Sequence, residues 1–100
     1  MKKHTKIYLT ALGYDLHDPN QFIQSEISGG KAVDLHHIDN REDRIENLIA
    51  LTREEHIKYG EIKDKMWFLL DTHREFLILN GVEFDNEWFE IRLGKYANFN

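Results

Sequence analysis

Four apolar residues, Leu48-Ile-Ala-Leu51, run straight into Thr52-Arg-Glu-Glu55, and this junction constrains the fold more than any other feature of the chain. A threonine followed three residues later by a glutamate is a capping box. The Thr52 hydroxyl accepts from the backbone N–H of Glu55, and the Glu55 carboxylate reaches back to the N–H of Thr52. A short apolar run ending in such a cap reads as a strand that gives way to a helix with no linker. Upstream, Gly29-Gly30 suits a tight turn, and residues 31–36 alternate polar and apolar as a half-buried strand does. Residues 38–46 are too charged and aperiodic for a core element and read as loop. The centre of the chain is therefore strand, charged loop, strand, helix.

A hairpin and one helix bury too little to be stable alone, so the flanks must supply the remaining core. Residues 4–12 read as a helix with Ile7, Tyr8, Ala11 and Leu12 on one face and Gly13 as its stop. Asp18-Pro19-Asn20 is turn chemistry. The helix after Thr52 runs to Tyr59-Gly60, where it either breaks or continues. Ile62, Met66, Leu69, Leu70, His73, Phe76 and Leu77 recur at helical spacing, predicting a helix over 61–79 that Asn80-Gly81 closes. Asp85 is placed to cap a last helix through about Leu93, with Gly94 behind it. Trp67, Phe68, Phe76 and Trp88 are assigned to the core rather than to binding. No repeat, low-complexity tract or Pro/Ser-rich linker divides the chain. The expected fold is α+β, a single domain over 1–100, with a short β-hairpin plus helix braced by N- and C-terminal helices.

The 100 residues include no cysteine, which excludes disulfides, thiolate zinc sites and cysteine nucleophiles. No apolar run approaches the roughly 20 residues of a membrane span, and the start lacks the apolar core of a signal peptide. A cytoplasmic location is the expectation. The net charge of −5 gives no general attraction to nucleic acid. Residues 61–100 hold five basic and eight acidic side chains, −3 of that total, which leaves −2 on residues 1–60.

The chemistry concentrates in the six histidines, two of them adjacent. His36-His37 closes the first strand, and although neighbouring strand residues face opposite ways, a strand end lets both serve one site from different angles. Asn47 follows His37 by ten residues and His56 follows Asn47 by nine. A hairpin packed on the helix brings the four together. Two imidazoles give a divalent cation half a coordination shell with positions left for phosphate and water. A third imidazole can deprotonate water near neutral pH, and a carboxamide can accept that base's other N–H. His4, His17 and His73 read as surface or packed histidines, His73 on the apolar stripe of its helix.

At these residues the sequence resembles the HNH nuclease family, whose fold is the ββα-metal motif. The stretch KAVDLHHIDNREDRIENLIALTREEHIKYG carries the pattern of a His pair, a loop, an Asn before an apolar strand, and a His nine residues on. The match covers about residues 22–60, with 61–100 as a helical extension. The resemblance implies that His36 and His56 are metal ligands, that His37 is the general base, and that Asn47 orients His37. It implies one divalent ion, Mg²⁺ foremost, with Mn²⁺, Ni²⁺ or Zn²⁺ as alternatives. Asp34, on the strand face of His36, is placed to help the metal site. Arg41 or Arg44, in the loop, either steadies the phosphate or is a solvated loop charge. Many family members carry a structural zinc ribbon. Its cysteine pairs correspond here to Ser25-Glu-Ile-Ser28 and Thr52-Arg-Glu-Glu55, so no zinc ribbon is expected, and the capping box and flanking helices replace it as the brace. Some members add a ligand one turn after the last histidine, a position occupied here by Gly60.

The implied activity is hydrolysis of DNA phosphodiesters, by nicking or cleavage. Small free-standing HNH proteins of this kind resemble those of bacteriophages and their hosts, so a targeting or packaging protein is an expected partner. The alternative is a non-catalytic adaptor on the same scaffold, with the acidic, aromatic stretch 83–90 meeting a basic partner. RNA is a third, weaker option as substrate. Oligomeric state is open. Because residues 1–60 are net negative, binding to random duplex DNA is predicted to be weak and salt-sensitive. Titration at physiological salt checks this, and submicromolar affinity would contradict it.

Overall fold

The computed structural model describes residues 1–60 and 62–97. At its centre β1 (Asp34–His37) pairs antiparallel with β2 (Leu48–Leu51), in the register Asp34 to Leu51, Leu35 to Ala50, His36 to Ile49 and His37 to Leu48. Every β2 side chain is buried. Because side chains alternate across a strand, Ile49 and Leu51 face one way and Leu48 and Ala50 the other. Ile49 and Leu51 join a core with Leu69, Leu70 and Leu77 of α3 (Met66–Leu79) and Phe89 and Leu93 of α4 (Asn86–Tyr96). Leu48 and Ala50 pack with Tyr8 of α1 (Lys3–Leu12). A strand covered on both faces needs a continuous apolar run rather than an alternating one. Truncating such a side chain to alanine costs about 2–5 kcal/mol, which makes β2 the spine of an α+β fold.

The capping box forms as the sequence predicts. The Thr52 hydroxyl accepts from Glu55 N–H at 3.1 Å, and Thr52 N–H donates to Glu55 Oε1 at 2.8 Å. It starts α2 (Arg53–Glu55), which widens into a π-helical turn over His56–Gly60 and stops there. Gly13 ends α1 with φ 76, a left-handed conformation that favours glycine.

Several boundaries differ from expectation. The regular first strand is Asp34–His37 rather than 31–36, because the glycine turn folds the chain back on itself. Ala32 N–H donates to Ile23 O at 2.8 Å, so residues 31–33 are held mainly by the preceding segment. Of the helix expected over 61–79, residue 61 lies outside the described residues, and Ile62 is extended and exposed. A 3-10 turn over Lys63–Lys65 precedes the regular helix from Met66. Phe68, expected in the core, is 38% exposed, and Trp67 is half-buried. Asp85 does cap α4, accepting from Glu87 and Trp88 N–H. Gly94 does not end α4, however, and the helix runs on to Tyr96. An interior glycine costs about 1 kcal/mol relative to alanine. The burial of Tyr96 and its hydrogen bond to Asp39 outweigh that cost. In the acidic stretch Phe84 is half-buried and Trp88 and Phe89 are buried, so its outward face is carboxylate rather than aromatic.

His73 is packed on α3 as expected, but as part of a charged pair. Its Nδ1 lies 2.6 Å from Glu26 Oε1 and its Nε2 2.6 Å from Ile45 O, with both side chains wholly buried. Both ring nitrogens thus have a partner, and beside an ionised Glu26 both donate. Glu26 Oε2 accepts from the Tyr8 hydroxyl at 2.6 Å and from Ala50 N–H at 3.3 Å. Burial alone would lower the His73 pKa, but the Glu26 charge, its hydrogen bond and the Ile45 carbonyl raise it. Removing one partner of a buried pair costs about 3–5 kcal/mol, the loss expected for His73→Ala in urea or thermal unfolding. A raised folded pKa makes this contribution complete below the unfolded value of about 6.5. It is lost as pH rises through the folded pKa. The stability gap between wild type and His73→Ala should therefore shrink at alkaline pH, and a gap that widened there would contradict the assignment.

Candidate functional site

The hairpin register decides where the two adjacent histidines go. His36 pairs with Ile49 and His37 with Leu48, so their rings leave opposite faces of β1. The cleft lies at the end of the strand, and both rings line it. It encloses about 970 Å³, with His56, Asn40, Arg41, Gly60 and Lys63 also on its walls.

On one side, buried His36 meets His56 from the π-helical turn, with ring centroids 4.7 Å apart. Asp34 shares the strand face of His36. Its Oδ2 lies 3.1 Å from His56 Nδ1, and its two oxygens accept from Arg53 Nε at 2.8 Å and Nη2 at 3.2 Å. Burial works against ionisation of Asp34, but the hydrogen bonds from Arg53 and His56 outweigh it and hold the carboxyl below its ordinary range. A carboxylate that takes one ring N–H of a histidine leaves the other nitrogen as a lone-pair donor. Asp34 thus orients His56 toward the cleft. Gly60 is what lets the rings approach: a Cβ there would stand 2.4 Å from His56 Cδ2 and 3.4 Å from His36 Cε1. The space that a side chain would fill lies against both imidazoles, and this donor pair suits a borderline divalent ion.

On the other side, His37 Nε2 lies 2.8 Å from Asp43 Oδ1, and the His37 ring meets the edge of His4 at 4.9 Å. The His37 hydrogen bond lowers the Asp43 pKa against a small opposing effect of burial. Burial and then the neighbouring His37 lower that of His4. His4, His37 and Asp43 bring three ligand atoms within 4.8 Å of one another, a group able to hold a metal ion. His4 reads as a surface or packed residue in the sequence, with no part in a site. A signal was present, since residues 4, 7, 8 and 11 share one face of α1 and that face packs on the hairpin.

One expectation is corrected and one alternative decided. The Asn47 side chain bonds to the loop rather than to His37. Its fully buried carboxamide accepts from Asp39 N–H at 3.0 Å and donates to Asn40 O at 2.9 Å and Glu42 O at 3.0 Å. The residue that orients His37 is Asp43, and Asn47 acts one step back by holding the loop that carries it. Of the two readings of Arg44 the loop charge holds, since it pairs with Glu46 at 2.8 Å, Glu42 at 3.1 Å and Asp85 at 3.4 Å. Three carboxylates hold it toward α4, while Arg41 is exposed on the cleft wall. The loop is also tied by α4, since Asp39 accepts from the Tyr96 hydroxyl and pairs with Arg92 at 3.2 Å.

The segments aligned with cysteine pairs in the resemblance do meet. Ser25 Oγ donates to Glu55 Oε1 and accepts from Ile27 and Ser28 N–H at 3.1 Å each. The capping-box glutamate therefore serves two segments at once.

No protein-family model, curated protein or solved structure matches the chain. Among the described residues no helix is long and apolar enough to cross a membrane.

Asn47→Ala should cost more than about 2 kcal/mol, since it removes several buried hydrogen bonds and leaves loop groups unpaired. Hydrogen exchange should show the Asp39 amide losing protection. An Asp39 amide as protected as in wild type would contradict the role assigned to Asn47.

Proposed function

We propose that the protein is a metal-dependent endonuclease of the HNH type that hydrolyses DNA phosphodiesters, its hairpin and helix acting as a ββα-metal motif. The observation that carries this reading is the convergence of His36, His56 and His37 on one cleft, each histidine buttressed by a carboxylate or by the close approach of Gly60. In it, His36 and His56 hold the divalent cation, Mg²⁺ foremost, and Asp34 sets the His56 tautomer. When bound, the cation supplies positive charge against the scissile phosphate and its leaving oxygen.

The chain's own groups do the rest. His37 donates Nε2–H to Asp43, so Nδ1 carries the lone pair that takes a proton from the attacking water. Asp43 then faces an imidazolium and stabilises it, as a buttressing carboxylate does for a histidine base. Arg41 reaches the phosphate from the cleft wall with a planar, two-pronged donor. Asn47, Tyr96 and Arg92 keep the loop between the strands in place, so that Asp43 and Arg41 are presented together. A net negative chain that cuts DNA needs this local positive charge, and a targeting or packaging protein would supply residence on the duplex.

Nicking of supercoiled plasmid with Mg²⁺, Mn²⁺ or Ni²⁺ tests the reading, with single-stranded RNA as a parallel substrate. His37→Ala should lose at least about 10²-fold in rate, the usual size of a general-base contribution. Arg41→Ala should weaken substrate binding without lowering stability, whereas Arg44→Ala should lower stability. Wild type inactive with every metal, or His37→Ala as active as wild type, sinks the proposal.

A further inference from the structure

The cluster on the α1 side of the hairpin contains more metal-binding chemistry than a buttressed base needs. Asp43 alone orients His37, at 2.8 Å from its Nε2. Yet α1 also delivers His4 to within ring contact of His37, and the three ligand atoms lie within 4.8 Å of one another. Tetrahedral zinc with bonds near 2.0–2.1 Å sets its ligands about 3.4 Å apart. The present His37–Asp43 pair at 2.8 Å must open slightly, which is within side-chain reach because His4, His37 and Asp43 are all half-buried rather than packed solid.

We propose that His4, His37 and Asp43 form a second cation site for borderline transition ions such as Zn²⁺, and that an ion held there silences His37. Two imidazoles and one carboxylate match zinc, nickel and copper. The site stands beside the first turn of α1, where the helix dipole opposes a cation, and the Asp43 carboxylate supplies the opposing charge. An ion on His37 Nε2 displaces the proton now donated to Asp43. The neutral ring then carries its one proton on Nδ1, the atom that would otherwise accept a proton from water. The silencing rests on the nuclease reading of His37; the ion binding does not.

Zinc titration by calorimetry, on the full chain, separates the two. In the His56→Ala protein, where the other site is disabled, Zn²⁺ should still bind. Adding His4→Ala should weaken that binding at least about 10-fold, since loss of even an outer partner of a ligand costs that much. Asp43→Asn, which preserves shape, must produce a comparable loss. In plasmid nicking with Mg²⁺, more Zn²⁺ should be needed to halve the rate of His4→Ala than of wild type. No zinc binding to His56→Ala, or binding indifferent to His4 and Asp43, overturns the site. Zinc binding that depends on His4 in a protein that cuts no nucleic acid keeps the site and removes the nuclease reading instead.

Discussion

The Glu26 carboxylate is the point on which the two halves of the fold turn. One oxygen accepts from Tyr8 of α1 and from the backbone of β2 at Ala50, and the other pairs with His73 of α3. His73 passes the link on to Ile45, at the turn that leads into Asn47. A buried ion pair is weak evidence for stability in general. Here both carboxylate oxygens and both ring nitrogens have partners, so removing any one partner strands the others. The pair also bridges the two apolar clusters on either side of β2, which makes the hairpin's orientation to α1 and α3 a single structural decision.

That decision propagates to the cleft. A two-residue periodicity sends His36 toward the α2 side and His37 toward α1, and the end of the strand lets both reach the same volume. Each face then meets its own carboxylate, Asp34 for His56 and Asp43 for His37. In the proposed reading the separation gives neighbouring histidines distinct work, one to hold a cation and the other to exchange a proton. Gly60 contributes by having no side chain, since a Cβ would push His56 away from His36.

Local signals made much of this legible in the sequence. The capping box, β2, α1 with its glycine stop and the Asp85 cap are set by neighbours within four residues, and the structure reproduces them. The internal placement of His73 was also readable from its helical stripe, but its partner was not, because Glu26 lies 47 residues away. The same holds at the cleft. The resemblance places Asn47 against His37, whereas the loop's own carbonyls claim it; of the two readings of Arg44, pairing with its loop neighbours Glu42 and Glu46 is the one the structure shows. Asp43 meets His37 across the loop, a pairing six residues apart that the strand-end geometry decides. His4 reaches His37 only through α1's packing on the hairpin, a contact that no spacing within the motif encodes. The helix through Gly94 and the exposed Phe68 are cases where tertiary packing overrode a local preference.

The central claim is that this fold brings His36 and His56 onto one cation beside a histidine base. Anomalous diffraction from crystals grown with Mn²⁺ tests it most directly. The expected result is a peak between His36 and His56, within bonding distance of a nitrogen of each and facing the cleft. A peak confined to His4, His37 and Asp43, or none at either position under conditions that support cleavage, would contradict it.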